Sequence, residues 1–116
     1  MIQPTFDIDK RNAERVSTER PITMQANQTE IIAKMIDLSP IGVGVLSETP
    51  VEEGITIQIS FSLPNINNKE IILCGIATRT AHVRHQYLIG IQFKDLSNYL
   101  QSVIHDFVHK HQYDQS

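Results

Sequence analysis

The sequence has one cysteine, no tryptophan and only 6% aromatic residues. The single thiol, Cys74, cannot close an internal disulfide. The chain is therefore not a small scaffold stapled by cystine, and a reducing compartment suits it. No apolar run approaches the roughly 18 residues that a membrane-spanning helix needs. The opening MIQPTFDIDKRNAER has no basic-then-apolar leader. Membrane insertion and secretion are not expected, and the expected location is cytoplasmic. There is no excess of basic charge either: Lys and Arg number 10, Asp and Glu 13, for a formal net charge of -3. A general DNA or RNA binder needs a basic surface to release counterions, so that class is set aside. The balance still leaves room for a small anion held by two or three well-placed arginines. No nucleophile–base pair, Walker loop or dinucleotide fingerprint is present, so no enzyme and no cofactor is expected.

What the sequence does contain is enough for one core. At 116 residues, with 41% hydrophobic and 20% charged, it is of ordinary single-domain size and make-up. Residues 1–20 are polar and charged, with scattered apolar positions, and read as a flexible arm. From Pro21 the texture changes. PITMQAN sets Ile22, Met24 and Ala26 on one face of a strand, and Asn27, Gln28 and Thr29 offer a hairpin turn into EIIAKMIDL. The break SPIG precedes the short strand VGVLSE. ITIQISFSL alternates Ile55, Ile57, Ile59, Phe61 and Leu63 with polar partners, the strongest period-two signal in the chain. EIILCGIATRTAHV and QYLIGIQFK flank a polar turn, and Gly75 and Gly90 inside them suggest bulges or bends.

After Lys94 the period changes. Leu96, Leu100, Val103, Ile104, Phe107 and Val108 share one helical face, with Asp95 or Ser97 to cap its start and Lys110 and His111 near its end. The expected fold is all-β with a C-terminal helix: six antiparallel strands closed into a small barrel, because closure removes exposed edges. The helix would cover one end or one face. The expected division is an arm over 1–20, barrel and helix over 21–111, and a polar tail over 112–116. Starting at Met1 and ending in YDQS, the chain is expected to be complete.

Two stretches carry chemistry. In DKRNAERVST, Arg11 and Arg15 offer two planar guanidinium forks able to close on one anion or stack on flat rings. In MIDLSPIGVGVLSE, Asp37 and Ser39 stand in an apolar, glycine-broken run. A carboxylate there accepts from the N–H edge of guanine, while an arginine donates to its O6 and N7. Gly42 would let backbone approach a ligand closely. The same Asp and Ser also suit a simple turn that caps SPIG.

Arg11-Asn-Ala-Glu-Arg15 resembles the RxxxR motif of PilZ domains. Asp37-Leu-Ser39-Pro-Ile-Gly42 resembles their [DN]xSxxG motif, and the closing strand–turn–GxxF strand–helix pattern is similar as well. The resemblance runs from about Lys10 to about His109. It implies a PilZ-type barrel, a cyclic di-GMP ligand and, with no second domain in the chain, a protein partner that reads the bound state. Carried over residue by residue, it implies binding by Arg11, Arg15, Asp37, Ser39 and Gly42. Lys10 stands where the family varies a residue that influences ligand stoichiometry. Arg79 matches a late-strand arginine used in some members, with Arg84 a weaker match. Two departures stand out: Glu14 and Glu19 beside arginines of the arm, and Pro40 inside the second motif.

The alternative is a PilZ-like protein-interaction adaptor that binds no nucleotide. A monomer, at most a weak dimer, is expected. Arg79 equally suits a plain solvent-facing position on its strand. His105 and His109, one turn apart on the helix, read as a solvated face rather than metal ligands, and Cys74 as a buried thiol.

Overall fold

The computed structural model describes the backbone of residues 15–114 and the side chains of residues 15–110. Lys10 and Arg11 lie outside the described residues. Six strands run in chain order: β1 (Val16–Ala26), β2 (Thr29–Ser39), β3 (Gly42–Ser47), β4 (Thr56–Ser62), β5 (Glu70–Val83) and β6 (Gln86–Lys94). A 3-10 turn (Pro64–Ile66) separates β4 from β5, and α1 (Asn98–Asp114) ends the order. The strands close into a barrel in the order β1-β2-β3-β6-β5-β4, every pair antiparallel.

Local chemistry explains the corners. Asn27 and Gln28 both take positive φ, 52° and 68°, as a two-residue turn matched to strand twist requires. The inward faces follow period two: Ile22, Met24 and Ala26 on β1, Ile57, Ile59 and Phe61 on β4, and Ile89 and Ile91 on β6 are all buried. At one end of the barrel α1 packs on β1, β2 and the 3-10 turn, burying Val103, Ile104, Phe107 and Val108. Ser97 caps the helix, accepting the Leu100 N–H at 3.1 Å. Asn65 donates to the Val103 carbonyl at 3.1 Å, and the Arg20 guanidinium lies 5.3 Å from the Phe107 ring centroid. At the other end Val51 is buried, its carbonyl accepting from the Thr80 hydroxyl at 2.8 Å.

Three expectations are corrected. Residues 16–20, assigned to the arm, are strand. Val16 and Thr18 are buried while Ser17 and Glu19 face out, so alternation continues beneath charges that made the segment look solvated. The helix runs to Asp114, into the expected tail. Cys74 is exposed, because Leu73 and Ala77 hold the inward parity of β5.

Candidate functional site

The polar side chains of interest meet on the outer wall of the barrel. Strand register sets them in one transverse row: Ser17 pairs with Asp37, Asp37 with Gly44, Gly44 with Gly90, and Gly90 with Arg79. Acid and base therefore stand three strands apart, roughly 14 Å at the usual inter-strand spacing, with two side-chain-free positions between them.

Two bulges put those groups outside. On β2, Ile31 and Met35 point inward, so strict alternation would send Asp37 into the core. The β2–β3 register slips between Met35 and Asp37; Ile36 is the extra residue, and Leu38 takes the next inward position. On β5, Ile71, Leu73 and Ala77 are buried, and Arg79 would follow them. The register slips between Ala77 and Arg79, with Thr78 extra, and Arg79 emerges exposed. Bulges of this kind re-aim side chains while the flanking ladder persists. The expectation of a bulge or bend at Gly75 and Gly90 is thus met opposite Gly90 only.

Around the row is a hollow of about 660 Å³ whose lining includes Arg15, Asp37, Gly42, Gly44, Thr78, Arg79, Leu88, Gly90 and Gln92. Arg15 donates from one guanidinium nitrogen to Asp37 Oδ1 at 2.5 Å. The side chains of this pair are 40% and 27% exposed, so each keeps access to solvent and to anything entering the hollow. A second hollow of about 710 Å³, toward the start of α1, shares Ile41 and Gln92 with the first.

Four of the expected site residues are brought together: Arg15, Asp37, Gly42 and Arg79. Ser39 stands apart, fully buried. Its hydroxyl donates to the Gly42 carbonyl at 3.3 Å and accepts from the Ile41 and Gly42 N–H groups at 3.3 and 3.2 Å. The turn reading therefore accounts for the serine in full. Gly42 has an internal reason too: a Cβ there would sit 2.5 Å from the Ile91 carbonyl oxygen. Arg84 occupies the β5–β6 turn at φ 60°, outside the hollow. Sequence reasoning passed over Gly44, whose absent side chain leaves room for the Asp37 carboxylate: a Cβ would lie 2.7 Å from Oδ1. The signal was the second glycine of GVG, two positions past the motif.

Among the described residues no group of three or more His, Cys, Asp or Glu is arranged to hold a metal. His105 and His109 stack on each other with ring centroids 6.1 Å apart.

The model of the PilZ domain family matches residues 9–110. The chain belongs to the PilZ domain family. An uncharacterized protein of Aquifex aeolicus (strain VF5) is 31% identical over 106 residues, which is 90% of this PilZ chain but 51% of the relative; the chain spans about half the length of the curated relative it matches. Among solved structures, the Bacillus subtilis inhibitor of motility MotI/DgrA has a TM-score of 0.79 at 13% identity, over 87% of this chain and 50% of that one. The PilZ domain of Escherichia coli YcgR, solved with c-di-GMP, has a TM-score of 0.65 at 16% identity, over 87% of this chain and 90% of that one. At such identities the likeness is one of fold: the six-stranded PilZ barrel with its C-terminal helix.

Proposed function

We propose that this PilZ chain is a receptor for cyclic di-GMP, held on the barrel wall between Arg15, Asp37 and Arg79, and that binding alters a surface read by a partner protein. The observation that carries the reading is the convergence of a carboxylate and two guanidinium groups, from the head of β1, from β2 and from β5, on one open hollow. Membership in the family supports it, as does the fold shared with a YcgR domain solved with the same dinucleotide.

Each group has a task. The Arg15–Asp37 pair is exposed, and such pairs contribute little to stability, so it exchanges partners readily. Asp37, once released, accepts from the N–H edge of a guanine. Arg15 turns its fork to a phosphate or to guanine O6 and N7. Arg79 approaches from the far side of the row, as a fork or as a stacking plane. Arg11, with Lys10 beside it, would add a third guanidinium from the segment before β1. Ser39 contributes by fixing the turn that carries Asp37, and Gly42 by letting that turn lie against β6. The role is that of a sensor, with no catalytic step.

The second reading, an adaptor of the same fold that binds no nucleotide, draws on Ser39: its hydroxyl is already fully engaged inside the turn. Isothermal titration with cyclic di-GMP separates the two. Saturable binding in the micromolar range or tighter, lost in an Arg15→Ala, Asp37→Ala double variant, is the expected result. A wild-type protein that gives no heat, or a double variant that binds equally well, overturns the receptor reading.

A further inference from the structure

Gly90 lies inside β6, where a glycine has a cost. It loses more backbone freedom on folding than any other residue and offers no side chain to pack. The other glycines have a reason in the fold. Gly54 takes φ 94°. A Cβ at Gly42 would meet the Ile91 carbonyl oxygen at 2.5 Å, at Gly75 the Ile91 Cγ2 at 2.5 Å, and at Gly44 the Asp37 carboxylate at 2.7 Å. Gly90 has none of these. Its φ is not positive, and a Cβ there would find only Thr78 Oγ1 at 3.5 Å and the Arg79 Cβ at 3.8 Å, ordinary contacts. The bulge beside it falls on Thr78, in the partner strand, and Thr78 bonds to it only through the Gly90 carbonyl, at 3.2 Å. Among the described residues nothing asks for the missing side chain.

The place of Gly90 supplies the reason. It lies in the hollow beside Gly44, midway along the row that ends in Asp37 on one side and Arg79 on the other. The two glycines leave a strip of bare backbone between a hydrogen-bond acceptor and a cationic fork. A glycine within a strand often marks close approach from outside. A fused-ring base laid flat on that strip presents its N–H edge toward the acid and its acceptor edge toward the arginine.

We propose that Gly90 is a specificity-determining position of this site: with Gly44 it forms a floor on which one guanine ring of the ligand lies, and its lack of a Cβ sets the depth of that ring relative to Asp37 and Arg79. The inference rests on the receptor reading above, and it assigns to the floor what that reading assigns only to the charged groups.

Gly90→Ala and Gly90→Leu in the full chain test it, with thermal melting by circular dichroism and titration with cyclic di-GMP. Gly90→Ala is expected to melt at or slightly above the wild-type temperature, because the added methyl has room and the unfolded chain loses freedom. It is expected to bind about tenfold more weakly, the usual scale for one misplaced methyl group in a fitted site. Gly90→Leu should bind more weakly still. Variants that bind within about twofold of wild type overturn the floor while leaving the receptor reading intact. A Gly90→Ala protein that loses stability in step with affinity also overturns it, by making the glycine structural. A wild-type protein that binds no cyclic di-GMP overturns both.

Discussion

Gly44 and the Asp37 carboxylate occupy a space that one more carbon would fill: a Cβ on the glycine would stand 2.7 Å from Oδ1 and 3.0 Å from Cγ. The obstruction is a side chain, so it can yield. Gly44→Ala is expected to swing the carboxylate away from Arg15 and out of line with the hollow. Cyclic di-GMP affinity, measured by titration, should fall about tenfold, the loss of one charge-assisted contact. Stability in urea should change by less than about 1 kcal/mol. Gly42→Ala provides the contrast. Its Cβ would meet a backbone oxygen at 2.5 Å, and forcing β3 from β6 should cost about 1–3 kcal/mol.

Arg15→Ala separates binding from folding. The pair it breaks is 40% and 27% exposed, so unfolding free energy should change by no more than about 1 kcal/mol. Affinity should fall about tenfold or more, and the wild-type affinity should weaken as salt is raised. Equal loss of stability and affinity would show the arginine to be structural.

Ser39→Ala should do the reverse. Removing the buried hydroxyl deprives two backbone N–H groups and one carbonyl of their bonds, at a cost of about 1–3 kcal/mol. Denaturant unfolding should report that loss. At temperatures where the variant remains folded, its affinity should fall less than that of Arg15→Ala, because the hydroxyl does not line the hollow and acts only through the turn that carries Asp37.

Base identity should matter. Guanine brings N–H donors to a carboxylate, whereas adenine brings a ring-nitrogen acceptor to the same place, leaving Asp37 unmatched. Cyclic di-AMP is expected to bind at least about tenfold more weakly than cyclic di-GMP, as when a site's polar group goes unpaired. Competition titration reads the ratio, and equal affinities would remove Asp37 from base recognition.

Phe107→Ala tests the end cap. The ring is buried on α1 beneath the Arg20 guanidinium. Truncation should cost about 3–5 kcal/mol, read by urea unfolding.

Most of the architecture is legible in the sequence because period two and period 3.6 are clean where it counts. Ile57, Ile59 and Phe61 announce β4, and Val103, Ile104, Phe107 and Val108 announce the helix. The start of β1 is not legible, since Glu19 and Arg20 mask the alternation of Val16 and Thr18. The orientation of the site is harder still. Counting in twos sends Asp37 the way of Met35, and Arg79 the way of Ala77, into the core. Only the slips at Ile36 and Thr78 reverse them, and a slip belongs to a pair of strands, so neither strand's sequence declares it. Motif resemblance singled out Asp37 without that geometry, and the structure sets it in the hollow. It passed over Gly44 and reached Gly90 only as the first residue of the GxxF strand, and it implied a ligand contact for Ser39, whose hydroxyl is bonded within its own turn.

With β1 hydrogen-bonded to β4, the sheet has no free margin, and its lumen is packed with hydrocarbon that never meets whatever lands outside. Foldedness and the proposed recognition thus fall on opposite faces of a single wall. Residues on the outer row can be exchanged one at a time, and the proposed grip on cyclic di-GMP would be retuned or abolished, while the vessel that displays them keeps its shape.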